Sequence, residues 1–316
     1  MISDGILLSI NIPTYKRFNS FSLIIHELED ELNGLPDSLK SRVNIRVYEN
    51  HSCDALLKKE ICDTIRRRSA INLSFVINET NIGADANILQ CCCCSLDAYY
   101  TWVLGDDDHL VKGSLSKIID VIVSFDGSLG LIIVNDKYWN KINAKLLSKD
   151  IYSSYYSFAH DAVRYQPHFL VAHTLISANI FKSSVFDESE ARAYSLHKVR
   201  VGLPASFIHM YGMVNGLMLS DENPVIITRF ETLDLTKRLP PDEAVNHTLA
   251  IYRIYYLYYL WLLLQLGLRI DAVKKDHSMW WLFSEKKPLS FLFISFVNRI
   301  LAFMSVVKKR VLAQLV

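Results

Sequence analysis

The sequence has no surplus of charge of either sign. Its 34 lysines and arginines face 33 aspartates and glutamates, so no global field of the kind that draws a protein to nucleic acid is present. It lacks a disulfide framework as well. Of six cysteines, four stand side by side at Cys91 to Cys94. Such neighbours do not easily bridge, and no His or Cys stands near them at zinc-ligand spacing. They read as small buried residues on a helix in a reducing cytoplasm. The opening "MISDGILLSINIPTYKR" has no basic stretch ahead of its short apolar run, so no signal peptide is read there. No internal repeat or low-complexity linker is evident. What is present is 316 residues, 51% of them apolar. That suffices for one large α/β domain, or for one domain plus an appendage.

The apolar residues fall into two alternating patterns. "ILLSINI" (Ile6 to Ile12) is a nearly continuous branched run ending at Pro13, as expected of a strand buried on both faces. Phe21, Ile24, Ile25, Leu28 and Leu32 follow at helical spacing, with Ser20 as the predicted cap. "VNIRVYEN" and "INLSFVINE" alternate as strands through Val43, Ile45 and Val47 and through Ile71, Leu73, Phe75 and Ile77. A helix is expected from Gly83 through the cysteine run, and a strand over "YYTWVLG". Ser114 is the predicted cap of a helix carrying Leu115, Ile118, Ile119, Ile122 and Val123, and "GLIIVND" is again a strand. Strands alternating with helices imply a mostly parallel sheet with helices on both faces. In such a sheet, ligands bind at the carboxyl ends of the strands.

That rule gives meaning to the polar residues closing each run. The first strand ends in Pro13-Thr14-Tyr15-Lys16-Arg17 and the second in Glu49-Asn50. A third is followed by Asn81-Ile82-Gly83, and a fourth ends in Asp106-Asp107-Asp108. A parallel sheet brings these clusters to one edge. Three consecutive aspartates form either a solvated turn or a cation site. Asp106 and Asp108 have the spacing to reach one Mg²⁺ or Mn²⁺, with Asp107 the alternate partner and a diphosphate completing the shell. Such an ion would support a departing nucleoside diphosphate. Arg17 suits phosphate oxygens. Thr14 and Tyr15 are either contacts for a base or members of an ordinary loop, and Asn81 and Gly83 either bond and closely approach a nucleotide or form a plain turn. His109 either reaches phosphate or metal, or caps the following helix.

Taken in order, these segments resemble family 2 glycosyltransferases of the GT-A fold. "SINIPTYKR" (Ser9 to Arg17) resembles that family's opening strand and nucleotide-contacting loop, and "VYENHSCD" its acidic strand end, here Glu49. "NETNIGADAN" resembles its Asn-x-Gly…Asn segment, here Asn81, Gly83 and Asn87. "WVLGDDDHL" resembles its Asp-x-Asp metal signature. The matches cover roughly the first third of the chain. Two departures stand out: where the second motif usually has two acids before a Gly-Ser, Glu49 is followed by Asn50, His51 and Ser52, and Gly105 replaces the usual first aspartate of the fourth. The Gly-Asp-Asp-Asp form resembles enzymes that build bacterial surface polysaccharides, including transferases of deoxy sugars onto O-antigen repeats.

The resemblance implies a GT-A (Rossmann-like) domain over residues 1–239, with a donor site at about 1–136 and an acceptor region at about 137–239. It implies nucleotide contacts from Pro13, Thr14, Tyr15, Arg17, Glu49, Asn81, Gly83, Asn87, Asp106 and Asp107, and Mn²⁺ or Mg²⁺ on Asp106 and Asp108. A base for the acceptor hydroxyl is expected well after the metal motif, where Asp187, Glu188 and Glu190 are candidates and Asp161 another. Residues 240–316 are expected to be helical. Their "FLFISFVNRILAFMSVVKKR" is apolar and then cationic, as suits a helix lying on the cytoplasmic leaflet. The expected activity is transfer from a nucleotide sugar to a lipid-linked saccharide, in a cytoplasmic protein peripheral to the membrane. Two rivals are a catalytically impaired assembly subunit and a metal-dependent phosphohydrolase or nucleotidyltransferase. The latter needs a second metal-binding set, and none is obvious in the sequence.

Overall fold

A computed structural model describes residues 5–51, 71–94, 97–136, 150–165, 176–192, 208–219 and 222–234, together with Lys59 and Asp63. The predicted C-terminal helices over 240–316, and the segment 137–149, lie outside the described residues.

The first run becomes β1 (Ile6–Thr14), with Leu7, Leu8, Ile10 and Ile12 fully buried. It is followed by α1 (Phe18–Asn33), the single turn α2 (Asp37–Lys40), β2 (Val43–Glu49) and β3 (Leu73–Ile77). Then come α3 (Ala84–Cys93), β4 (Ala98–Val103), α4 (Ser114–Ser124) and β5 (Leu131–Asp136). The remainder comprises β6 (Ile151–Tyr152), α5 (Tyr155–Tyr165), β7 (Asn179–Lys182), α6 (Ile208–Met218) and β8 (Val225–Leu233). The eight strands among the described residues form one sheet in the order β3-β2-β1-β4-β7-β5-β8-β6. Strands β1 to β4 are mutually parallel, and β5 is parallel to β8. Strand β7 runs antiparallel to both β4 and β5, so β5 and β8 still point the same way as β1. The mostly parallel α/β sheet anticipated from the alternating runs is therefore present.

Side-chain alternation sends each strand's residues to two cores. On one face Leu8, Ile10, Val43, Ile45, Trp102 and Ile132 meet the apolar stripes of α1 and α4. On the other, Val103, Ile133, Phe181 and Ile227 meet α3, α5 and α6. Cys91, Cys92 and Cys93 belong to this second core, and burial pushes the Cys91 and Cys92 thiols well up. These three are inert packing groups, as read from the sequence, whereas Cys94, expected to be buried with them, is exposed just past the end of α3. Ser9 and Asn11, both wholly buried in β1, hydrogen-bond to each other, and Asn11 donates to the Cys91 carbonyl. These two polar residues inside an apolar strand tie α3 to the sheet.

Both predicted helix caps are displaced. The Phe21 N–H bonds to the Arg17 carbonyl at 2.9 Å, so α1 opens on Arg17 and Ser20 falls inside its first turn. The N-cap position of α4 is Gly113, at φ 77°, rather than Ser114. Its cap comes from another helix: the carboxylate of Glu31 on α1 accepts the Gly113 N–H at 2.6 Å and the Leu115 N–H at 2.9 Å. An anion from α1 satisfies the free amides at the N-terminus of α4 and favours its dipole. Strand β3 also departs from simple alternation. Leu73 and Phe75 pack on the α1 core, whereas Ile77, at the strand's end, is 46% exposed.

Helix α6 crosses the chain just after β7 at very close range. A Cβ on Gly216 would lie 1.6 Å from the Val185 carbonyl oxygen, and one on Gly212 would lie 2.7 Å from the Phe186 ring. Backbone cannot yield as a flexible side chain can. Gly216→Ala is therefore expected to destabilise the fold by about 3 kcal/mol or more, whereas Leu219→Ala on the exposed end of the same helix should cost little. Urea denaturation of the two variants tests this.

Candidate functional site

The carboxyl ends of β1, β2, β4, β5 and β8 lie along one edge of the sheet. From β1 the chain turns one way to β2 and β3, while β4 lies on its other side. The crevice between the ends of β1 and β4 is thus a topological switch point, where open α/β sheets bind ligands. The two strands part company at this point. Their register ends at Asn11 opposite Val103, one further bond runs from the Leu104 N–H to the Asn11 carbonyl, and β1 continues alongside β2 to Thr14. Pro13, which has no N–H to donate, occupies the stretch that β4 no longer accompanies.

Four residues meet in this crevice. Thr14, 2% exposed, donates its hydroxyl to Asp106 Oδ2 at 2.8 Å. One nitrogen of Arg17, Nη1, lies 3.1 Å from Asp106 Oδ1 and 3.0 Å from Asp107 Oδ2. The repulsion between neighbouring aspartates is thus met by a cation from the loop after β1. That loop includes Lys16 at φ 56°, a left-handed conformation uncommon for a side-chain-bearing residue, with its Nζ 5.1 Å from the centre of the Tyr15 ring. Burial raises the Asp106 carboxyl above its ordinary value, although Thr14 and Arg17 act in the opposite direction. Burial also opposes the charge on Arg17, but Asp106 and Asp107 together outweigh it and hold the guanidinium more firmly protonated.

Asp108 turns elsewhere. Only 2% exposed, it accepts a hydrogen bond from the Ser177 hydroxyl. Ser177 also accepts the Gly105 N–H at 2.8 Å, and its carbonyl accepts the Trp102 indole N–H at 2.8 Å. The structure therefore gathers Asp106 and Asp107 around a single cationic nitrogen and commits Asp108 to the chain that enters β7. Among the described residues no group of three or more His, Cys, Asp or Glu side chains is positioned to hold a metal ion. Two hard carboxylates do fit a divalent ion whose remaining ligands come from a diphosphate and water.

The neighbouring segments are organised by asparagines. Glu49, fully buried, sits opposite Thr14 in the register of β1 and β2. Asn50 accepts the Ile82 N–H at 2.9 Å and donates to Asn81 at 3.0 Å, while Asn81 accepts the Gly83 N–H at 2.9 Å. Asn87 donates to the Tyr48 carbonyl at 3.0 Å and accepts from Asn78 at 3.2 Å. The expected nucleotide contacts Asn81 and Asn87 thus hold the 78–83 loop against the end of β2. Gly83, at φ 86°, makes the turn into α3. Tyr15 is 38% exposed beside the crevice.

Asp187, Glu188 and Glu190, the expected bases, are not brought to this edge. Strand β7 starts beside Asp108 and runs antiparallel to β4, placing Lys182 opposite Tyr100 at the strand's other end. The residues that follow it lie at the far edge of the sheet. There Asp187 accepts the Glu190 N–H and the Asn215 amide, each at 2.9 Å, and Glu188 pairs with Arg192. Asp187 and Glu188 line a separate cavity of about 550 Å³ with Lys182, Glu222 and Asn223. An antiparallel strand inserted in a parallel sheet reverses the direction in which the chain delivers its next residues, and sequence spacing does not reveal that reversal. Asp161 is carried on α5 near β6, the outermost of the described strands on that side, where burial first and the Asp161 charge second push the Tyr152 hydroxyl up to about 12.

Several residues of the site escaped the sequence reading. Glu27 on α1 lies 2.9 Å from His109 Nδ1 and accepts the Leu110 N–H at 2.8 Å, so His109 is engaged by α1. Asp234, just past β8, donates its N–H to the His109 carbonyl at 2.9 Å and is buried. The helical spacing of Glu27 and Glu31 on α1 was the only available signal, and nothing in the sequence indicated which surface they would face.

No family model matches the chain. Over 110 residues it is 28% identical to abequosyltransferase RfbV of Salmonella typhimurium. The aligned stretch is 35% of this chain and 31% of that protein, so it spans about a third of the relative's length. Among solved structures, TarS 1-349 of S. aureus superposes with a TM-score of 0.48 at 13% identity, over 93% of this chain and 78% of that one. The mannosyltransferase PcManGT of Pyrobaculum calidifontis, in complex with GDP-Man and Mn²⁺, superposes with a TM-score of 0.49 at 11% identity, over 94% and 80%.

Two variants probe the cluster. Since Asp106 is shifted upward, the fold favours its neutral form. The penalty is absent below the ordinary value of 3.8 and grows as pH rises toward the raised value. Asp106→Asn should therefore melt no lower than wild type at pH 7, with any advantage vanishing near pH ~3. Ser177→Ala removes the partner of the Gly105 N–H and of the Asp108 carboxylate at once, and should cost about 1–3 kcal/mol. Thermal melts across pH for the first, and urea denaturation for the second, measure both.

Proposed function

We propose that this protein is a glycosyltransferase that takes a sugar from a nucleoside diphosphate donor. The observation that carries the reading is the meeting of Thr14 and Arg17 with Asp106 and Asp107 in the crevice between β1 and β4. It is supported by the 110-residue similarity to an abequosyltransferase. In this reading Arg17 faces the diphosphate, and Glu49 accepts hydrogen bonds from the base or ribose. Tyr15, half open to solvent, offers a face for stacking, and Pro13 closes the wall beneath it. Asn81, Gly83 and Asn87 shape the loop on the nucleotide's other flank.

Asp106 and Asp107 would hold Mg²⁺ or Mn²⁺, with Asp108 steadying the turn from within. When bound, such an ion neutralises the diphosphate and helps it depart as a leaving group. The chain's own residues place the donor at the strand ends and exclude water from the buried side of Asp106. Asp234, the carboxylate that β8 carries to this edge, is our candidate for taking the acceptor's hydroxyl proton, in place of Asp187, Glu188 and Glu190.

The acceptor we propose is a lipid-linked saccharide of a bacterial surface polysaccharide, met at the cytoplasmic leaflet. Support for this comes from the resemblance of the Gly-Asp-Asp-Asp form to enzymes of surface-polysaccharide assembly and from the apolar-then-cationic C-terminal segment ending in Lys308, Lys309 and Arg310. Among the described residues no helix is long and apolar enough to cross a membrane.

Calorimetry with UDP, CDP, GDP and dTDP, each with and without Mn²⁺, tests the donor site. One of them should bind roughly tenfold or more tightly with the ion, and the pair Asp106→Asn with Asp107→Asn should abolish that gain. If no nucleoside diphosphate binds better with metal, the reading loses its support. Donors passing this screen are then offered with a lipid-linked acceptor extract, where Asp234→Asn should bind donor but fail to transfer.

A further inference from the structure

We infer that Arg17 is the resident counter-ion of the donor-free site and competes directly with a divalent cation for Asp106 and Asp107. The inference rests on the donor-site reading above and concerns how that site is kept before a ligand arrives.

The geometry is specific to one atom. Nη1 of Arg17 stands 3.1 Å from an oxygen of Asp106 and 3.0 Å from an oxygen of Asp107. It therefore occupies the space between two hard oxygen donors of adjacent residues. A Mg²⁺ ion bound to the same oxygens sits at about 2.0–2.1 Å from each. Both cations cannot hold that position, and their charges repel.

The three side chains differ in freedom. The Asp106 side chain is only 6% exposed and is pinned by Thr14. That of Asp107 is 38% exposed, and that of Arg17 55%. Displacement therefore falls to Arg17, whose head already borders water and whose long stem allows it to swing aside. The neighbouring cation is differently placed: Lys16 lies over the Tyr15 ring.

Competition of this kind has a thermodynamic consequence. Every increment by which Arg17 stabilises the empty site is subtracted from the site's affinity for a metal ion alone. A diphosphate restores the balance, because it gives the displaced guanidinium a new anionic partner. Metal and nucleoside diphosphate should then each improve the binding of the other, and a metal ion without nucleotide should bind poorly. The charge crowding at Asp106 and Asp107 is neutralised in both states, by Arg17 when empty and by the incoming cation when loaded.

The test is calorimetric titration of Mn²⁺ alone, and then of Mn²⁺ with UDP, into wild type, Arg17→Gln and Lys16→Gln. Arg17→Gln should bind Mn²⁺ alone about tenfold or more tightly than wild type, and should lose most of the gain that UDP confers. Lys16→Gln removes the same charge one residue away and should bind Mn²⁺ alone as wild type does. Equal or weaker binding by Arg17→Gln overturns the inference. So does an equal tightening in both variants, which would indicate a general field and not occupancy. If neither wild type nor Arg17→Gln binds Mn²⁺ alone or with any of UDP, CDP, GDP and dTDP, this inference falls together with the metal reading. If wild type binds Mn²⁺ with UDP and Arg17→Gln merely matches it with Mn²⁺ alone, this inference falls by itself. Melting curves confirm that the variants fold, and Arg17→Met, which keeps the aliphatic stem, replaces Arg17→Gln if the latter melts early.

Discussion

The site depends on one electrostatic constraint: consecutive carboxylates must be held at the end of β4 without driving the turn apart. The answer lies across the crevice. Thr14 and Arg17, at and just past the end of β1, reach Asp106, and Arg17 also reaches Asp107. Because β1 and β4 are parallel neighbours, their ends open side by side, and a donor on one can meet an acceptor on the other. The same contact marks the topological switch point, so the feature that relieves the repulsion also defines where a ligand enters.

Behind this contact, α1 acts as the frame. Its apolar stripe of Phe21, Ile24, Ile25, Leu28 and Leu32 is fixed in the core, and that orientation brings Glu27 and Glu31 to the turn between β4 and α4. Glu27 takes the Leu110 amide and lies against His109, while Glu31 takes the amides that open α4. Ser177 performs the matching task from the other side, joining Gly105 and Asp108 to the entrance of β7. The turn carrying Asp106 to Asp108 is therefore held by three separate parts of the chain. Such support suits a constellation that has to meet a charged ligand without rearranging.

The far edge shows the opposite case. Asp187, Glu188 and Glu190 form an acidic group at a plausible distance along the chain, yet the Asp187 carboxylate serves a short helix start, Glu188 pairs with Arg192, and these two line a cavity of their own. One antiparallel strand, β7, accounts for this. It leaves the site at Ser177 and delivers the chain to the other end of the sheet, where Gly212 and Gly216 of α6 hold it closely.

By itself the sequence determined strands β1 to β5 and the helices α1, α3 and α4 between them, because buried parallel strands and two-sided helices impose apolar periods that local reading detects. It also showed that polar clusters would end β1, β2 and β4, and for the three aspartates it left a solvated turn or a cation site open, with Asp106 and Asp108 as the expected pair. What only the tertiary structure decided was which groups meet. Arg17 as the partner of both aspartates, Ser177 as the partner of Asp108 and Glu31 as the cap of α4 are contacts across 69 or more residues of chain. Asn81 and Asn87 were legible as polar residues beside a turn, but only the fold shows them bracing that turn. Periodicity encodes which face of an element is buried. It carries no information about strand direction after a long connection, nor about which polar side chain a buried charge will face, and those are settled when the whole sheet closes around them.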